Sequence, residues 1–73
     1  MISKQYIKDL EFKDIYEFFN YVVESKINGN YSQTKKFISK MSWEQRRAFK
    51  THMENNFTDA KTRQELFNML LEA

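Results

Sequence analysis

Cysteine and proline are both absent from these 73 residues, and glycine occurs once, as Gly29. Without cysteine there is no disulfide and no thiolate metal site, so a small domain must hold itself together by packing alone. Without proline, only side-chain chemistry interrupts helical stretches, and helix is the default expectation. A lone glycine also rules out a glycine-rich phosphate loop. No apolar run approaches the roughly 18 residues that a bilayer-spanning helix needs. The opening stretch Met1-Ile2-Ser3-Lys4-Gln5 has no apolar leader region. These absences lead to the expectation of a soluble, cytoplasmic protein.

What the chain has in quantity is aromatic rings: seven Phe, four Tyr and Trp43. Each ring can bury on the order of 150–250 Å². A domain this small hides only about 60% of the surface its unfolded chain exposes. Its net stability is then about 4–11 kcal/mol, at roughly 0.05–0.15 kcal/mol per residue. Rings are the economical way to build such a core, and little margin remains for strained or unsatisfied groups.

The apolar spacing is helical throughout. Phe12, Ile15, Tyr16, Phe19, Val22, Val23 and Ile27 recur at three- and four-residue steps, and Glu11 and Asp14 suit a helix start. Gly29 is the natural left-handed stop. A first helix over about 11–28 follows, with residues 1–10 as an N-terminal arm or an extra helical turn that docks Ile7 and Leu10. Asn30 and Gln33 have capping-box spacing ahead of Thr34, Phe37, Ile38 and Met41, which predicts a second helix over about 31–41. Ser42-Trp43-Glu44-Gln45 is a better capping box and starts a third helix at a bend. Its inner stripe is Phe49, His52 and Met53, and Asn55-Asn56 ends it. Thr58 or Asp59 caps a fourth helix whose apolar positions are Ala60, Leu66, Phe67, Leu70 and Leu71. The fold class expected is all-α: one compact bundle of three to four short helices over 1–73, with a long central first helix.

Site chemistry is sparse. His52 is the only imidazole. Ala48 and Asn56, one turn away, are not expected to orient it, so it reads as structural rather than as a general base. The carboxylates of Glu11, Asp14 and Glu17 read as a helix start followed by solvated surface, not as a metal cluster. The expectation is no catalytic residue, no cofactor and no metal.

Charge distribution is more informative than its total of +2. Residues 1–30 carry four lysines against five acids, residues 31–53 six Lys or Arg against Glu44, and residues 54–73 two basic residues against four acids. The middle third is therefore a basic block. Lys36 with Lys40, and Arg46 with Lys50, are like-charge pairs four apart, each costing a few tenths of a kcal/mol. Pairing of Arg47 with Glu44 and of Lys50 with Glu54 would relieve the second cluster only. Helix 31–41 has no acid in its first turn and carries Lys35 and Lys36 near that end, an arrangement that suits an anion.

Two partner classes fit such a block. Nucleic acid would meet Lys35, Lys36, Lys40, Arg46, Arg47 and Lys50, with Tyr31 or Trp43 to stack on a base. The two-residue Met41-Ser42 connection is too short for a helix-turn-helix. An acidic protein surface would instead use the Arg, Trp and Tyr side chains as anchors. The first helix also carries more apolar residues than one stripe needs, so it is either buried on most sides or presents an edge for self-association. The leading expectation is a non-enzymatic module, monomeric or dimeric, that modulates a larger protein or complex by docking on it, away from membranes. The alternatives are a small nucleic-acid-binding protein and a self-associating subunit. Richness in Lys, Asn, Ile, Phe and Tyr suits an AT-rich coding source, as in accessory or inhibitor factors of phage and mobile elements.

Overall fold

Asp14 decides where the central helix starts. Its carboxylate accepts the Glu17 N–H at 3.0 Å, and the Glu17 carboxylate reaches back to accept the Lys13 N–H at 2.8 Å. Upstream, Glu11 sits at φ 65°, a left-handed conformation that cannot continue a right-handed helix. The computed structural model describes residues 1–56 and 59–72. Over these the chain runs α1 (Lys4–Asp9), α2 (Ile15–Ile27), α3 (Tyr31–Lys40), α4 (Trp43–Asn56) and α5 (Ala60–Glu72), with no strand among the described residues.

The expected count of three to four helices is thus corrected to five. The single helix over 11–28 is really α2 alone, preceded by a separate short helix. At 13 residues α2 is central but not long, and α4, with 14, is the longer element. Of the two alternatives for residues 1–10 the helical one holds, as the separate α1, which docks Ile7, whereas Leu10, expected to dock with it, is 41% exposed. Ser3 caps α1 by accepting the Tyr6 N–H on its hydroxyl at 3.0 Å.

Other ends follow local rules. The Gly29 N–H donates to the Lys26 carbonyl and the Asn30 N–H to the Ser25 carbonyl, the paired bonds that close a helix on a left-handed glycine at φ 84°. The Ser42–Gln45 capping box forms: Ser42 Oγ accepts the Gln45 N–H at 3.1 Å and Gln45 Oε1 accepts the Ser42 N–H at 3.0 Å. The one expected between Asn30 and Gln33 does not, since the Asn30 side chain makes no capping bond. Asp59 caps α5 by accepting from the Lys61 N–H and the Thr62 hydroxyl. Thr58, the other residue considered for that role, lies outside the described residues.

Helix α2 packs against each of the other four helices. Its Phe18, Phe19, Val22 and Val23 are essentially inaccessible, and Ile38, Phe49, Met53 and Leu66 close over them from α3, α4 and α5. The Phe18 ring meets Phe37 at 5.4 Å, Phe12 at 5.9 Å and Tyr6 at 6.3 Å, all edge-on. Ser25 and Thr34, both buried, join α2 to α3 at 2.6 Å while also reaching the Val22 and Asn30 carbonyls. With one proton on each hydroxyl, whichever of the two donates to the other gives up its own carbonyl. In α5 the inner face is Leu66, Met69 and Leu70. Leu71, expected inside, is 81% exposed.

One side chain ties the beginning of the chain to its middle. Gln45 Oε1 accepts the Ile2 N–H at 2.9 Å, and its Nε2 donates to the Ile2 carbonyl at 2.6 Å. Replacing Gln45 with alanine removes partners from the Ile2 and Ser42 amides and from the Ile2 carbonyl. The expected loss is about 1–3 kcal/mol, measurable as a lower urea midpoint.

Candidate functional site

The residues singled out by the sequence lie on α3 and α4, and their environments differ. Trp43 opens α4 directly after the Ser42 cap, which leaves its indole 69% exposed. Arg46, three residues on, lays its guanidinium 5.0 Å from the indole centroid. Lys50 sits another turn along and holds its ammonium 5.3 Å from the Phe67 ring of α5. On α3, Lys40 reaches instead to the Tyr6 ring of α1, at 5.2 Å. Each such cation–ring contact contributes about 0.5–1 kcal/mol at an exposed site.

Neither expected ion pair forms, that of Arg47 with Glu44 or that of Lys50 with Glu54. Among the described residues the ion pair present is Lys26 with Glu65, joining α2 to α5. Lys35, Lys36 and Arg47 are exposed, and Tyr31, at the start of α3, is 48% exposed. The structure therefore brings Trp43, Arg46, Arg47 and Lys50 together along α4 through helical spacing, while Lys40 is drawn toward α1.

His52 departs from expectation. Asn20 Oδ1 lies 2.7 Å from its Nε2, and the Asn56 amide donates to its Nδ1 at 3.2 Å, which fixes the neutral tautomer with the proton on Nε2. The ring packs against Tyr16 and Phe19 at 5.5 and 5.7 Å. Asn56, one turn away and not expected to orient the ring, does so through its amide. Asn20, on another helix, carried no local signal. These amides and rings hold the imidazole in place between α2 and α4.

Loss of hydration holds the His52 pKa below 6.5, with Asp14 opposing the shift. Glu44 and Arg47 face the same ring across a shallow cavity of about 510 Å³. The unfolded chain therefore takes up this proton before the folded one does. Stability attributable to His52 is full above about pH 6.5 and declines as pH falls toward the depressed folded value. His52→Gln is expected to flatten that part of the profile, seen as a smaller difference in urea midpoint between pH 7.5 and 5.5 than in the wild type.

Among the described residues no group of three or more His, Asp or Glu side chains converges to hold a metal ion, and no helix is long and apolar enough to cross a membrane. No protein-family model, curated protein or solved structure matches the chain, so the reading of this surface rests on its own residues.

Proposed function

We propose that this chain is a small non-enzymatic helical module that docks on a larger protein or complex and modulates it, with the Trp43 face of α4 as the contact. The observation that carries this reading is Trp43, 69% exposed beside the Arg46 guanidinium, in a domain whose described phenylalanines are all buried or half-buried. Tryptophan, tyrosine and arginine are the side chains on which binding energy concentrates at protein interfaces. Tyr31 adds a second exposed ring, and Lys35, Lys36 and Arg47 supply positive charge that an acidic partner surface complements. An accessory or inhibitory role inside a cell, of the sort small phage-type factors perform, belongs to the same reading.

Nucleic acid is the rival partner. It is disfavoured because Lys40, on α3, reaches toward α1, while Arg46 and Lys50, on α4, lie over the protein's own rings, which leaves a short row for a phosphate backbone. The test is a capture experiment from source-cell lysate, nuclease-treated, with wild type beside Arg46→Glu/Arg47→Glu. The expected result is a partner protein retained by the wild type and lost by the variant. Equal recovery by both rejects this face. Capture that requires nucleic acid, and that weakens steeply with salt, selects the rival. A mass near twice 8.9 kDa that grows with concentration points instead to self-association.

A further inference from the structure

A second surface lies where the first residues pack against α1, the start of α2 and Gln45 of α4. A groove of about 580 Å³ opens there over Ile2, Ile7 and Ile15, with the exposed Met1 along one wall. That volume falls within the range of small-molecule sites. Lys4, Lys8 and Lys13 rim it against the single carboxylate of Asp14, and none of the three lysines has an ion-pair partner among the described residues. Several of the polar groups inside are already engaged. Gln45 is held by Ile2 and Ser42, Ser3 Oγ accepts the Tyr6 N–H, and Asp14 accepts the Glu17 N–H.

A peptide strand would bring backbone N–H and C=O groups into this groove with few partners to meet them, at a desolvation cost. A hydrocarbon tail brings none, and the surplus of lysine charge selects the sign of the group at its end. We propose that this groove binds a single-chain anionic amphiphile, a long-chain carboxylate, with the tail on the isoleucine floor and the carboxylate among Lys4, Lys8 and Lys13. The site is independent of the Trp43 face.

Decanoate, kept below its micelle concentration, is the probe, followed by calorimetric titration and by amide chemical shifts. The expected result is saturable one-to-one binding with a dissociation constant below about 1 mM, and shifts concentrated at residues 2–15. Lys8→Glu/Lys13→Glu changes only exposed side chains and is expected to weaken binding about tenfold at unchanged melting temperature. Trp43→Ala is expected to bind decanoate like the wild type, so loss of the protein-docking reading leaves this one standing. Absence of saturation, equal binding of decyltrimethylammonium, an unchanged affinity in the folded double-lysine variant, or association only with anionic vesicles would each overturn the proposal.

Discussion

Phe18→Ala is expected to bring the domain to the edge of unfolding. The ring is completely inaccessible and meets Tyr6, Phe12, Phe19 and Phe37, so three helices and the turn before α2 lose packing at once. Truncating a buried phenylalanine costs about 3–5 kcal/mol, part from lost transfer energy and part from the cavity left behind. Set against a total of about 4–11 kcal/mol for a chain of this size, that loss takes from about a quarter to all of the stability. With no disulfide to limit the unfolded state, nothing else offsets it. Urea titration followed by circular dichroism is the measurement. Leu71→Gln, at a side chain 81% exposed, serves as the control and is expected to shift stability by less than about 0.5 kcal/mol. A Phe18→Ala protein with nearly wild-type stability would mean that the ring cluster around α2 is not the core.

Trp43→Ala is expected to weaken binding to the captured partner about thirtyfold or more while leaving the fold intact. An anchoring tryptophan at an interface contributes about 2 kcal/mol or more when truncated, which is that factor in affinity. Its intramolecular role is small, limited to the Arg46 contact at 5.0 Å, so melting should change by no more than about 1 kcal/mol. Trp43→Phe keeps a ring and is expected to restore part of the loss. Because Trp43 is the only tryptophan, its fluorescence reports on docking directly, with emission shifting to shorter wavelength as the partner excludes water. A weakening of merely two- or threefold would demote Trp43 to the rim of the contact and move the anchor elsewhere.

What could be read from the sequence was what depends on near neighbours. The helix from Ile15 to Ile27, the Gly29 stop and the Ser42–Gln45 box involve residues within a few positions of one another, and all three stand in the structure, although Tyr16 and Ile27, counted in the apolar stripe, are exposed. The break before α2 was also local, yet it was missed. Asp14 and Glu17 have capping-box spacing, but the apolar series continues back through Phe12, and periodicity masked the cap. Contacts across the fold left no trace in the spacing. Gln45 with Ile2, and Asn20 with His52, pair residues 43 and 32 positions apart. The candidate surface shows the same division. Composition located the positive charge in the middle third, whereas the direction each cation takes depends on which ring a neighbouring helix supplies, as with Tyr6 for Lys40 and Phe67 for Lys50.

The carboxamide of Gln45 has a kinetic consequence. One acceptor oxygen protects the amide protons of both Ile2 and Ser42, so neither proton can be sheltered from solvent exchange once that oxygen swings away. Rotation of a single side chain unpairs the amides of Ile2 and Ser42 in the same event. Two sites distant along the chain thereby share one opening frequency, and the polypeptide's entry point reports on a bend that it never follows in sequence.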